Sequence, residues 1–452
     1  MEYLKRFGGF IPFAVCLSSL TCPAVITQED LMVKLNGTAY AQMADDVLVN
    51  EPDYVVFVPK RRRDEKTPNP GQTGDTYNDH FHVINDQSNG MLYAFWTQAT
   101  KESDIDQHIA FSRSVDKGRS WSDPVIIAGS HNKRNPGLLA SWQQPMLTRT
   151  GRLYCLWNQQ TTSRGVHYGM MFGAFSDDRG ETWSAPKMVP FTERMDADSQ
   201  DDRVPPSWCN WQRPLRLGVN QRFLVGCSRH GRAPYDDRYG CKIEFWQYEN
   251  IDENPAVDGI RIKYMATNRR ALSVQLLEDA GGFRAKEPAL EEAALAKLPD
   301  GRLFALMRSS VGSPIWSVSS DCGETWAKPQ ILRDADGKPF RHPRSPCPFY
   351  DWKGPEAGSG MYFALVHQTF DFNNKEKNAF QPRGPLYLIA GRFDPTGTQP
   401  IRFGKPKLFA KREVGNSFYS SYCLVDGKGV LWFNDKKLYL LGRVIGPEWF
   451  DE

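Results

Sequence analysis

The chain has 452 residues, 40% apolar and 24% charged, which allows one large domain or several of average size. A formal net charge of +3 gives no broad basic footprint and argues against a general nucleic-acid binder. Beyond the N-terminus no stretch is apolar enough to cross a membrane, and the 12% aromatic content suits strands and stacked cores.

Residues 1–27 open with MEYLKR and continue FGGFIPFAVCLSSLTCPAVI, a mildly basic start before an apolar run with small residues. This resembles a secretory signal peptide and predicts export to the periplasm or the exterior, with a cytoplasmic chain as the alternative. Residues 28–52 read as a lead-in segment. The KRRR run at 60–63 is followed at once by Asp64 and Glu65, and reads as a solvated loop. Of the nine Cys, Cys16 and Cys22 fall in the N-terminal segment; the rest are scattered, mostly in strand-like runs, with no CxxC. That pattern argues against a disulfide framework and a zinc site, so no cofactor or metal is expected.

From residue 53 onward the pattern is that of short strands. One motif recurs three times, as SVDKGRSWS at 114–122, SDDRGETWS at 176–184 and SSDCGETWA at 319–327. Each copy stands between two strand-like runs and reads as a hairpin turn. Its Asp accepts backbone N–H groups, its Gly supplies a positive φ, and its Trp folds back over the hairpin. A second unit recurs upstream, a Gly followed by an apolar strand, as in SNGMLYAFWTQ, RTGRLYCLWNQQ, PDGRLFALMRSS, SGMYFALVHQT and VDGKGVLWFND. Each full unit spans roughly 45–60 residues, the size of a four-stranded propeller blade. Six units follow, at about 78–128, 142–191, 208–265, 288–333, 343–410 and 416–446, with Asp53–Pro59 supplying the last strand of the sixth and closing the ring. EPALEEAALAKL has a helical look, but PDGRLFALM follows directly, so its second half is read as a strand.

The three boxes resemble the Asp boxes of the sialidase (neuraminidase) superfamily, and the likeness extends at blade level over nearly the whole chain from residue 53. It implies an all-β, six-bladed β-propeller over 53–452, with the boxes on the outer rim and the functional centre where the innermost strands converge. It also implies an exo-acting glycoside hydrolase. In that family three Arg hold the substrate carboxylate, a Tyr is the nucleophile, a Glu activates it and an Asp is the acid/base. In this sequence Glu292 opens a strand, Asp300-Gly301 makes the turn and Arg308 ends the next strand, which matches the family's spacing. The likeness therefore assigns Glu292 to activating the Tyr and Arg308 to the carboxylate. Arg383, before GPLYLIAG, takes the place of the next Arg. FYSSYCLVDG offers Tyr419 as the nucleophile, with Tyr422 as the alternative. The loop ATKESDIDQ offers Asp104 as the acid/base, then Asp106, with Glu102 also open.

One family feature is missing. Where the first Arg belongs, DHFHVIND places His80 or His82, so the likeness is to a divergent member and the sugar is sialic acid or a related acidic one, such as a uronic acid. Blade three adds Trp208, Trp211 and Arg213 in SWCNWQRPLR, and Arg229, His230, Arg232, Tyr235 and Arg238 in SRHGRAPYDDRYG; the second group reads as a rim around the pocket. Arg213 and His230 join the substrate-binding set with His80 and His82. The expected partner is a glycan or acidic sugar. Two other readings stay open: a propeller lyase or hydrolase that attacks uronic-acid glycans with His and Tyr, and a non-catalytic carbohydrate-binding propeller.

Overall fold

The computed structural model describes residues 41–59, 74–129, 138–162, 165–190, 194–196, 198–199, 201–218, 222–231, 241–277, 289–353, 360–369, 383–412 and 418–451. The segment read as an export signal, the KRRR run, and Arg232, Tyr235 and Arg238 lie outside these residues.

A helix α1 (Ala41–Leu48) and a strand β1 (Tyr54–Phe57) precede the first blade. Blade one consists of β2 (Tyr77–Asp86), β3 (Met91–Ala99), β4 (His108–Ser114) and β5 (Val125–Gly129). Blade two holds β6 (Ala140–Leu147), β7 (Leu153–Gln160), β8 (Gly169–Ser176) and β9 (Lys187–Met188). Blade three holds β10 (Trp208–Cys209), β11 (Leu215–Arg216), β12 (Phe223–His230), β13 (Cys241–Tyr248) and β14 (Ile262–Met265). Blade four holds β15 (Leu290–Lys297), β16 (Leu303–Ser309), β17 (Ile315–Ser319) and β18 (Gln330–Ile331). Blade five holds β19 (Phe349–Asp351), β20 (Met361–Val366), β21 (Leu386–Phe393), β22 (Ile401–Phe403) and β23 (Lys407–Ala410). Blade six pairs β24 (Ser421–Val425), β25 (Lys428–Asp435) and β26 (Tyr439–Val444), and β1 adds its outer strand beside β26. The architecture is a six-bladed β-propeller closed by strands from both ends of the sheet sequence.

Local chemistry explains the turns. Val425 pairs with Lys428, leaving Asp426 and Gly427 as a two-residue loop with φ of +50° and +74°, the backbone of a type I′ hairpin. The stretch LEEAALAK is a strand along its whole length, because its small and apolar side chains are buried between neighbouring blades.

The apolar core lies between blades rather than within them. Tyr93, Phe95 and Phe111 of blade one pack with Leu153 and Trp157 of blade two. Trp96 of blade one packs with Val430 and Trp432 of blade six, and the other interfaces are filled in the same way. Each buried aromatic of this kind contributes about 1.5–3 kcal/mol by transfer from water, so the ring is held together by its seams.

The three boxes share one geometry. Ser114 Oγ accepts the Gly118 N–H at 2.8 Å and donates to Asp116 at 2.8 Å, and Asp116 accepts the Ser120 N–H at 2.9 Å. The same pattern recurs at Ser176–Thr182 and Ser319–Thr325. Trp121 folds back as the sequence suggested, its Nε1 donating to the Gly118 carbonyl of its own turn at 3.1 Å, but each box Trp also reaches onto the preceding blade. Trp121 meets Trp432 of blade six at 5.8 Å, Trp183 meets Phe111 of blade one at 5.2 Å, and Trp326 stacks on Phe245 of blade three at 4.1 Å. The box is thus a clamp between blades. Gly180 needs to be glycine twice over, since φ is +80° and a Cβ there would collide with the Phe111 ring.

Among the described residues no helix is long and apolar enough to cross a membrane. Cys155, Cys209, Cys227, Cys241, Cys347 and Cys423 are free and buried, and Cys322 is free and exposed.

Candidate active site

The innermost strands of blades one, two and four each carry a bulge at the same depth. Pairing slips between Asp79 and His82, between Ser141 and Gln144, and between Glu291 and Ala293. At each slip a non-glycine residue takes a left-handed conformation: His80 at φ +52°, Trp142 at +54° and Glu292 at +52°. Such a residue costs on the order of 1–3 kcal/mol and persists only where its surroundings fix it. Neighbouring blades do so. The Glu292 N–H donates to Ser228 Oγ at 2.8 Å and its carbonyl accepts from Trp211 Nε1 at 3.0 Å. The His80 carbonyl accepts from the Gln143 amide.

The bulge has a chemical consequence. In a regular strand successive side chains point to opposite faces, so Glu291 and Glu292 would diverge. Here both reach Arg308, Glu291 at 3.2 Å from Nε and Glu292 at 2.8 Å from Nη1. The Tyr419 hydroxyl donates to Glu292 Oε1 at 2.7 Å and accepts from Arg308 Nη1 at 3.2 Å. Tyr419, Glu292 and Arg308, from blades six and four, therefore form one hydrogen-bonded group. Burial pushes the Tyr419 hydroxyl well above its usual range, the Glu292 carboxylate adds to this, and Arg308 and Arg383 oppose it. Burial works against the charge of Arg308, but Glu292 and Glu291 outweigh it and keep the guanidinium charged.

Two further Arg flank the group. Arg344 binds Glu291 with two hydrogen bonds, at 2.9 and 2.5 Å. Burial raises the Glu291 carboxyl, yet Arg308 and Arg344 together hold it far below the usual range. Arg383 donates to the Arg344 carbonyl at 3.0 Å. Burial, then Arg308, lowers the pKa of Arg383, while Tyr419 and Glu292 favour its charge. Arg308 thus bridges Glu291 and Glu292, Arg344 adds a second guanidinium on Glu291, and Arg383 is tied to the Arg344 backbone.

On the other side of Tyr419 lie His80 and Lys437. The His80 ring stands edge-on to Tyr419 at 4.7 Å, and Lys437 Nζ lies 5.7 Å from the Tyr419 ring centre. Lys437 pairs with Asp79 at 2.9 Å and with Glu102 at 3.0 Å. Burial holds the His80 pKa down at about 3, with Lys437 adding to the effect, so His80 is a neutral ring and not a cationic stand-in for the missing Arg. The cation near that place is Lys437. Trp211 meets the Tyr419 ring edge-on at 5.6 Å.

Several sequence candidates fall elsewhere. His82 and Arg213 line a different hollow of about 560 Å³ with Asp351, Lys353 and Tyr422, and neither Tyr419, Glu292 nor Arg308 lines it. It is formed by the far halves of the inner strands, such as Ile84–Asp86, Pro145–Leu147 and Leu295–Lys297, so it opens at the other end of the ring. The buried carboxylate and guanidinium groups lie instead around Tyr419. The reason for the mismatch is the bulge: His80 sits within it, while His82 lies where regular pairing resumes opposite Phe95. Tyr422 packs on Phe363 at 5.1 Å and accepts the Lys353 N–H, away from Glu292. Asp106 is buried and holds Thr100 through its N–H at 3.1 Å and its hydroxyl at 2.6 Å, a turn-forming role. Asp104 accepts the N–H of Ile105 at 2.8 Å within its own loop, and it is Glu102 that joins the site, through Lys437. Trp208 is a packing residue against Trp246. Arg229 is not at a pocket rim; it is buried with Asp198 and Glu244. His230 stands beside His167 at 4.4 Å, and His167 stacks on Trp142 at 4.7 Å.

Arg344, Glu291, Lys437, Asp79, Trp142 and His167 were not singled out from the sequence. The EE pair was visible as a charge at the head of a strand, but only the bulge brings both carboxylates to one cation.

The family model described as BNR repeat-like domain matches residues 90–423, and the chain belongs to that family. No curated protein matches it. Among solved structures, a Hadza microbial sialidase is 14% identical with a TM-score of 0.57, over 83% of this chain and 66% of that one. A Trypanosoma rangeli sialidase in complex with sialic acid is 14% identical with a TM-score of 0.54, over 88% of this chain and 58% of that one. A protein of unknown function from Dyadobacter fermentans is 13% identical with a TM-score of 0.54, over 86% of this chain and 95% of that one. At these identities the likeness establishes the sialidase-like six-bladed fold and no more.

Proposed function

We propose that the chain is an exo-acting, retaining glycoside hydrolase that releases a terminal sialic acid or a related carboxylate-bearing sugar. The observation that carries this reading is the group Tyr419–Glu292–Arg308, closed by hydrogen bonds of 2.7, 2.8 and 3.2 Å. A phenol is a poor nucleophile until a base takes its proton. Glu292 accepts that proton as the Tyr419 oxygen bonds to the anomeric carbon, and Arg308 stabilises the charge on the phenolic oxygen. The glycosidic bond breaks, and the leaving oxygen takes a proton from an acid on loop 100–107, where Glu102 is joined to the site through Lys437 and Asp104 lies two residues on. Water then attacks the glycosyl-tyrosine. It gives its proton to the same acid, while Tyr419 recovers its proton from Glu292. A neutral nucleophile suits an anionic sugar, which would repel a carboxylate. Arg308, Arg344 and Arg383 supply the grip on the sugar's carboxylate.

A second reading is favoured by one observation. The His80 ring stands 4.7 Å from the Tyr419 ring, a His–Tyr pair of the kind that serves proton abstraction beside a carboxylate in a uronic-acid lyase. The apolar N-terminal run supports export to where glycans are met.

The test is a panel of fluorogenic sialosides and uronides, assayed with the wild type, Tyr419→Phe and His80→Gln. The hydrolase reading expects cleavage of a carboxylate-bearing sugar that Tyr419→Phe abolishes. Turnover that survives Tyr419→Phe but not His80→Gln supports the second reading. Binding of these glycans without turnover makes the chain a carbohydrate-binding propeller.

A further inference from the structure

We propose that His167, Cys209 and His230 form a binding site for a divalent transition-metal ion of the zinc class, beside the Arg308 group. The three residues come from separate elements. His167 precedes β8, Cys209 ends β10, and His230 ends β12. The backbone ties them together: Trp208 N–H donates to the His167 carbonyl at 3.1 Å, His230 N–H donates to the Ser207 carbonyl at 3.0 Å, and Cys209 pairs with Ser228 across β10 and β12.

Their ligand atoms, one from each residue, all lie within 4.8 Å of one another. Cys209 Sγ and His230 Nε2 are 3.5 Å apart. A tetrahedral zinc with bonds of about 2.3 Å to sulfur and about 2.0–2.1 Å to nitrogen holds those two atoms about 3.6 Å apart. This pair therefore already has the required separation, and a modest ring shift brings in His167. Thiolate and imidazole are the donors that zinc, cobalt and similar ions prefer.

A rival set, His230 with Cys241 and Glu291, is less suitable because Glu291 is committed to Arg308 and Arg344. Trp142 stacks on the His167 ring at 4.7 Å. Three protein ligands leave a fourth position for water or for a substrate oxygen. An ion there adds positive charge on the His230 side of the Glu291–Arg308 group, where Glu291 and His230 lie close together. Binding releases the Cys209 proton, so affinity rises with pH.

The experiment is a titration of the full chain, stripped with a chelator, with cobalt(II) and then zinc. One cobalt per chain is expected, with a thiolate-to-cobalt charge-transfer band that zinc abolishes on displacing it. Cys209→Ser loses the band, Cys241→Ser keeps it, and His167→Gln weakens cobalt binding by at least about tenfold. Zinc raises the Tm of the wild type and not that of Cys209→Ser. Absence of a stoichiometric cobalt complex in the wild type overturns the proposal. So does a band that survives Cys209→Ser. If Cys209→Ser does not fold, by far-UV circular dichroism, the wild-type titration and His167→Gln still decide.

Discussion

Tyr419 and Glu292 are 127 residues apart in sequence and share a 2.7 Å hydrogen bond. One comes from the mouth of blade six and the other from a bulge in blade four, so the bond exists only when the ring is closed. Removing either partner should separate chemistry from binding. Glu292→Gln is expected to lower kcat by about 100-fold to 10,000-fold, the range for loss of a positioned acid or base, with little change in affinity for a non-reacting sugar. Steady-state kinetics with equilibrium binding of the product sugar checks this.

Glu291 holds two guanidinium groups. Glu291→Ala leaves Arg308 and Arg344 buried without that partner, and loss of one member of a buried ion pair costs about 3–5 kcal/mol. A lowered urea midpoint is expected. Arg344→Lys keeps the charge but cannot hold a carboxylate with two parallel hydrogen bonds, so if Arg344 grips the sugar's carboxylate as proposed, it should raise KM more than it lowers kcat.

Much of the fold could be read in the chain. The three boxes, the Asp-Gly turn at 426–427 and the Gly-led strands mark the blades, and the strand closing blade six is the N-terminal one. Tyr419, Glu292 and Arg308 are named through the likeness to the sialidase superfamily, and the structure brings the three into one hydrogen-bonded group. What could not be read depends on tertiary closure. A left-handed φ at His80, Trp142 or Glu292 has no glycine to announce it, and that bulge decides which side chains face the centre. Arg344 and Lys437 reach the site from loops, where no periodicity guides a reader. The box Trp belongs to a seam between blades, which a hairpin considered alone does not contain.

The seams make a second structural prediction. Trp326→Ala removes the stacking on Phe245 and should cost about 2–4 kcal/mol, while Gly180→Ala adds strain at a positive φ and a clash with Phe111. Both variants should unfold at lower temperature, and both should retain sugar-independent near-native secondary structure below their transitions, by circular dichroism.

Stability should fall in mild acid. Burial holds His80 and His82 at about 3 and His342 at about 4, and it holds His367 well below the ordinary 6.5. The unfolded chain takes up these protons first. Their contribution is therefore complete above about pH 6.5 and is lost as pH falls from there toward about 4 and 3, at up to about 1.4 kcal/mol per pH unit for each ring. Tm measured from pH 7 to pH 4 should decline over this window, and His82→Gln should flatten the decline.

The central claim is that Tyr419 carries the sugar between two chemical steps. Incubation with a fluorinated glycosyl fluoride of whichever sugar the panel shows to be cleaved should slow the second step and let the intermediate accumulate. Peptide mass spectrometry should then find the sugar's mass on Tyr419, and none on the same peptide of Tyr419→Phe. Turnover of the ordinary substrate with no adduct on Tyr419, or an adduct on a carboxylate such as Glu292, would contradict the account.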